Sequence, residues 1–119
     1  MDLPEEALLL RIFVGEATYF EGKPAFEAIV LKARELGLAG ATVLRASLGY
    51  GASSHFHTVK ILRLSYDLPL VVEIVDAEDK INAFLPVVDK MIDSGLVTIE
   101  RARVIHYRHK PVAGADAAT

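Results

Sequence analysis

Apolar positions follow two periods along this chain. Residues Ala7 to Val14 (ALLLRIFV) are almost continuously apolar, broken by Arg11 and ended by Gly15. Such a run predicts a central strand covered on one or both faces. The stretch from Glu16 to Lys23, with Tyr19, Phe20 and Gly22, reads as a loop. From Pro24 the period changes: Phe26, Ile29, Val30, Ala33 and Leu36 recur at spacings of three and four. That is one face of an amphipathic helix, opened by proline and stopped by Gly37. A second strand is expected from Thr42 to Leu48. Thr58 to Leu64 alternates and reads as a strand or an extended arm, followed by a turn at Ser65 to Pro69. Leu70 to Val75 is rich in β-branched residues and predicts another strand, with Glu73 inside it.

The second helix is expected to start from Asp76 as its cap, with Glu78 and Asp79 in the favoured first turn. Ile81, Phe84, Leu85, Val88 and Ile92 form its apolar stripe. Pro86 predicts a kink, and Gly95 is expected to close the helix. Leu96 to Ile99 is a short apolar piece, and Ala102 to Tyr107 reads as the last strand. Residues 1–110 then form one domain, and residues 111–119 read as a disordered tail.

The order corresponds to an α+β, ferredoxin-like βαββαβ arrangement. Two right-handed crossovers would put both helices on one face of an antiparallel sheet. The other face would be left bare. A bare apolar face in a small domain predicts shelter in further copies of the chain, and closed rings are the usual solution.

Composition narrows the class. A length of 119 residues suits one domain, and 52% hydrophobic residues suffice for a core. The formal charge of −3, with no dominant basic run, argues against nucleic acid as a partner. With no cysteine, disulfides, thiolate zinc sites and thiol catalysis are excluded. The first twenty residues lack a signal-peptide core, and no apolar run approaches the roughly 18 residues of a membrane span. A cytoplasmic protein is expected.

Candidate chemistry gathers after the second strand, at Gly49-Tyr50-Gly51-Ala52-Ser53-Ser54-His55-Phe56-His57. A strand opening into a Gly/Ser/His loop offers free backbone N–H groups to an anion. Tyr50 either shapes a pocket wall or packs in the core. His55 and His57, two apart, would face one way in a strand, and His106 or His109 could add a third metal ligand. No metal motif is complete, so polar loop histidines or effector contacts compete with that reading. Arg101 and Arg103 share one side of the last strand, with Arg108 beyond. Their guanidinium forks suit phosphate oxygens or, equally, intersubunit ion pairs, and Arg45 carries the same ambiguity. Glu73, in an apolar strand, calls for a basic partner. Ser53 and Ser54 lie near histidines without a nucleophile elbow, and neither a Walker loop nor a dinucleotide fingerprint is present, so no enzyme is expected.

Three segments together resemble the PII-like proteins catalogued as domain of unknown function 190. They are Gly49 to Ser54, Leu64-Ser65-Tyr66-Asp67-Leu68-Pro69, and Glu73 to Asp76 with Ala83-Phe84-Leu85-Pro86. The likeness runs over roughly residues 7–107. More distantly the chain is similar to the PII nitrogen-regulatory signalling proteins. It shares with them a Gly-x-Thr-Val segment, here Gly40 to Val43, and a Gly-aromatic-Gly at the root of the long T-loop, here Gly49 to Gly51. The resemblance implies a homotrimer with small-effector pockets between subunits, commonly for adenine nucleotides. It also implies a loop, here residues 49–66, that reports the bound state to a partner. Association of family members with small membrane fluoride exporters makes a transporter one such partner.

The Gly-Asp-Gly-Lys turn that grips phosphates in PII proteins is replaced here by Leu96-Val97-Thr98-Ile99-Glu100. A nucleotide with fewer phosphates, AMP or ADP, fits that change better than a triphosphate. There is also one more residue between Val43 and Gly49 than in PII proteins, and no equivalent of their uridylylated tyrosine. The ligand-binding residues expected on this reading are Gly40, Thr42, Arg45, Gly49, Tyr50, Gly51, Ser53, Ser54, His57, Arg101 and Arg103. The alternatives are a metal-binding protein or small enzyme using the loop histidines, and a structural oligomer without a ligand.

Overall fold

A computed structural model describes residues 3–46, 48–49, 57–58 and 68–108. Its elements in chain order are β1 (Glu6–Gly15), β2 (Tyr19–Phe20), β3 (Lys23–Pro24), α1 (Ala25–Glu35), β4 (Thr42–Arg45), β5 (Leu48–Gly49), β6 (His57–Thr58), β7 (Pro69–Asp76), α2 (Glu78–Met91) and β8 (Leu96–Arg103). Four strands make one sheet in the order β4-β7-β1-β8, every neighbour antiparallel. Each βαβ unit is split by a strand of the other: β7 lies between β1 and β4, and β1 lies between β7 and β8. This is the ferredoxin-like topology expected from the element order.

Alternation along the two central strands decides which face is covered. Leu8, Leu10, Ile12 and Val14 of β1 stand in register with Asp76, Ile74, Val72 and Leu70 of β7. All eight are buried, under Ala28, Ile29 and Ala33 of α1 and Ile81, Phe84, Val88 and Met91 of α2. Fully burying one such aliphatic or aromatic side chain contributes about 1.5–3 kcal/mol. A slip of one residue would drive Arg11 and Glu73 into this core, so the apolar set fixes the register.

The other face carries Leu9, Arg11 and Phe13 of β1 opposite Val75, Glu73 and Val71 of β7, with neither α1 nor α2 over it. The two outer strands are exposed except at the half-buried Ala102, and their exposed residues include Leu44, Leu96 and Ile99.

Several local expectations are corrected. The stretch read as a loop at 16–23 holds the β2–β3 hairpin, whose turn residues Glu21 and Gly22 both have positive φ, 48° and 84°. Two successive left-handed residues are what a two-residue hairpin of right-handed twist requires. Helix α1 starts at Ala25, one residue after Pro24. It ends as expected: Gly37, at φ 82°, donates to Arg34 O, and Leu38 donates to Ala33 O. That pair of bonds is the Schellman closure.

The second strand stops at Arg45 instead of reaching Leu48, although the Ala46 N–H still donates to Pro69 O at 3.0 Å. Asp76 does not cap α2. Its carboxylate is taken by other amides, and the helix begins after Ala77 without a side-chain cap. Helix α2 contains Pro86 and ends at Met91, four residues before Gly95. Leu96 to Arg103 is one continuous strand because β1 offers partners from Phe13 back to Glu6, and residues 104–107 lie beyond it. Of the expected strand at 58–64, residues 59–64 are outside the described residues, as are the turn at 65–67 and the tail at 111–119.

Candidate functional site

The segment between α1 and β4 is fixed from below by a buried carboxylate. Asp76 is only 2% exposed. It accepts the Ala39 N–H at 2.8 Å through Oδ2 and the Ala77 N–H at 2.7 Å through Oδ1. Two short bonds to backbone donors satisfy a charge that would otherwise be costly to bury. One side chain thus ties residues 39–42 to the start of α2. Lys80 Nζ adds a long contact to Gly37 O at 3.5 Å.

A cleft of about 330 Å³ opens beside this segment. Ala39, Gly40, Ala41 and Thr42 line one side, and Leu9, Glu73 and Val75 of the uncovered sheet face contribute to it. Leu3 and Tyr107 complete it from the two terminal arms. The arms are joined where Val104 N–H donates to Glu5 O at 2.7 Å. A second hollow, of about 450 Å³, lies along them and is lined by Leu3, Glu5, Arg103 to His106 and Tyr107. Leu3 and Tyr107 belong to both hollows.

The charges around the cleft are paired. Arg11 Nε donates to Glu73 Oε2 at 2.9 Å, and Arg11 Nη1 donates to Glu100 Oε1 at 2.5 Å. The hydrogen bond that Arg11 donates to Glu73 is the first cause raising the Arg11 pKa above its ordinary value, opposed by some desolvation. Arg11 therefore stays cationic throughout the range in which proteins fold. Arg103 Nε donates to Glu5 Oε2 at 2.9 Å, which leaves its other N–H donors available to a ligand.

Of the residues singled out from the sequence, Gly40 and Thr42 line the cleft and Arg103 lines the adjoining hollow. Arg101 is exposed on the same side of β8 as Arg103 and lines neither. Arg45 lies at the far end of β4 from Thr42, about 10 Å along the strand, and pairs with Glu16. Gly49 and His57 are backbone partners on the short β5 and β6 strands. Tyr50, Gly51, Ser53 and Ser54 are outside the described residues. Among the described residues no group of three His, Asp or Glu is placed to hold a metal ion; His55 and His109 lie outside them.

Sequence reasoning passed over Leu3 and Tyr107. Tyr107 reads as the end of a strand, and only the folding-back of the two arms brings it to Gly40.

The split βαβ topology, with a cleft beside the Gly40 to Thr42 segment, defines an α+β chain of ferredoxin-like, PII-like fold. A solved structure agrees with this class: the PII-like nitrogen regulatory protein CPII of Thiomonas intermedia K12, bound to ADP, AMP and bicarbonate, superposes with a TM-score of 0.58. The match covers 83% of this chain and 88% of that one at 16% identity, so it is an agreement of fold. The chain belongs to the DUF190 family, described as "Uncharacterized ACR, COG1993", which matches residues 7–104. It is 46% identical over 98 residues to a UPF0166 protein of Aquifex aeolicus (strain VF5), covering 82% of this chain and 92% of the relative. A UPF0166 protein of Methanocaldococcus jannaschii is 35% identical over 100 residues, covering 83% and 92%.

Proposed function

We propose that this is a regulatory, non-catalytic PII-like protein. It binds an adenine nucleotide, AMP or ADP, at clefts between the subunits of a homotrimer and reports the bound state through residues 49–66 to a protein partner. The observation that carries the reading is the cleft beside Gly40 to Thr42. It combines an uncrowded backbone segment, an apolar floor and one carboxylate on a fold shared with a protein solved with ADP and AMP. Glu73 commits one oxygen to Arg11 and keeps acceptor capacity for an amino-substituted base. Arg103 and His106 in the adjoining hollow suit an anion.

The outer strands support assembly. Leu44 is 49% exposed on β4, and Leu96 and Ile99 are 56% and 45% exposed on β8. Apolar outer strands of this kind need cover. No helix among the described residues is long and apolar enough to cross a membrane. We place the protein in the cytoplasm, and the family resemblance names a membrane transporter such as a fluoride exporter as the partner to try first.

Calorimetric titration of the purified protein with AMP, ADP, ATP and cyclic dinucleotides tests the effector. Saturable uptake of AMP or ADP is expected. No uptake of any of them at millimolar concentration removes the effector from the reading.

A further inference from the structure

We infer that Tyr107 is the base-stacking residue of the proposed nucleotide cleft, standing where the base-binding hollow meets the phosphate-binding one. The inference rests on the adenine-nucleotide reading and adds to it the group that would recognise the base. Tyr107 lies four residues beyond the end of β8 and is 42% exposed. Among the described residues its hydroxyl has no hydrogen-bond partner. Tyr107 is one of the residues that line both hollows.

The two hollows differ in chemistry. On the Gly40 side, Leu9 and Val75 supply apolar contact and Glu73 an acceptor. On the other, Arg103 and His106 supply donors. A nucleoside monophosphate has the same two-ended character, a flat base and a dianionic phosphate. A half-exposed aromatic ring bordering an apolar floor is a stacking platform for the flat end. Stacking is tolerant of base identity, so selection of an amino-substituted base would fall to Glu73 across the cleft.

The test compares the full-length wild type with Tyr107→Phe and Tyr107→Leu, titrating AMP and ribose 5-phosphate by calorimetry. Loss of a stacked aromatic weakens nucleotide binding by about tenfold or more. Tyr107→Leu is therefore expected to bind AMP about tenfold more weakly and ribose 5-phosphate as the wild type does. Tyr107→Phe keeps the ring and is expected to stay within about twofold for both. Equal weakening toward AMP and ribose 5-phosphate would mean a general packing role and overturn the inference. So would a Tyr107→Leu chain that binds AMP like the wild type, while leaving the effector reading standing. A wild type that takes up no AMP overturns both.

The chain has four tyrosines and no tryptophan, so tyrosine emission gives an independent readout. AMP is expected to change that emission in the wild type and in Tyr107→Phe by different amounts, the difference being the contribution of Tyr107. Identical changes in the two overturn the inference.

Discussion

Arg11 and Glu73 stand directly opposite each other on β1 and β7, joined at 2.9 Å in the middle of the uncovered sheet face. Glu100 closes on the same guanidinium from β8, so one cation bridges three strands. Leu9 and Val75 flank the cluster on one side, Phe13 and Val71 on the other. Arg11 and Glu73 side chains are 36% and 27% exposed in the single chain. A face of this composition is poorly matched to water and poorly matched to a simple apolar partner. It suits a partner presenting the same mixture, which a second copy of the chain does.

The first prediction concerns that cluster. In the proposed trimer, Arg11→Ala would leave Glu73 and Glu100 as unpaired carboxylates at a subunit seam, where losing one partner of an ion pair costs most. In the single chain the same change is made at a solvated site, so the fold should survive it. Light scattering is expected to give three times 13.0 kDa for the wild type and a smaller particle for Arg11→Ala, with circular dichroism unchanged. A variant that keeps the wild-type mass would show that this face lies outside the interface.

Gly95 supplies the second. It sits at φ 147°, and a Cβ there would lie 2.5 Å from the Phe13 carbonyl oxygen. The neighbour is backbone of the central strand, so it cannot turn aside. Gly95→Ala is expected to cost about 2 kcal/mol and lower the melting temperature by ~10 °C. Gly40→Ala, where no neighbour lies within 4 Å, is expected to melt within a degree or two of wild type. Equal melting temperatures for Gly95→Ala and wild type would refute the steric argument.

How far the sequence carries can be read from these same residues. The nearly unbroken apolar run of β1 announces a central strand, but with Leu9 and Phe13 as apolar as Leu10 and Ile12 it leaves open which face the helices cover. Gly37 and the Glu73 charge likewise announce a helix end and a partner. Asp76 misleads: it has the composition of a helix cap, yet its oxygens go to Ala39 and Ala77. Nothing local tells a carboxylate which amides it will meet. Tyr107 is silent for the same reason, since its place in the cleft depends on the terminal arms pairing across nearly the whole length of the chain. Gly40 and Thr42 were named through the Gly-x-Thr-Val segment that the chain shares with PII proteins, and they line the cleft.

The third prediction follows from Asp76. Its two short bonds hold residues 39–42 against α2, and these are the residues that line the cleft. Removing a buried acceptor leaves two backbone donors without partners, at a cost of about 1–3 kcal/mol for each group left unsatisfied. Asp76→Ala is therefore expected to lower the melting temperature by ~10 °C or more. In Asp76→Asn the amide oxygen can still serve one N–H, but the NH₂ meets the other donor head-on, so an intermediate loss is expected. The distinguishing measurement is hydrogen exchange at the Ala39 amide. Its protection should fall in both variants before global unfolding is reached, and AMP affinity should fall with it. If Ala39 stays protected in Asp76→Ala, the carboxylate is not what holds the cleft wall, and the segment must be secured through its own backbone from Ala33 to Leu38.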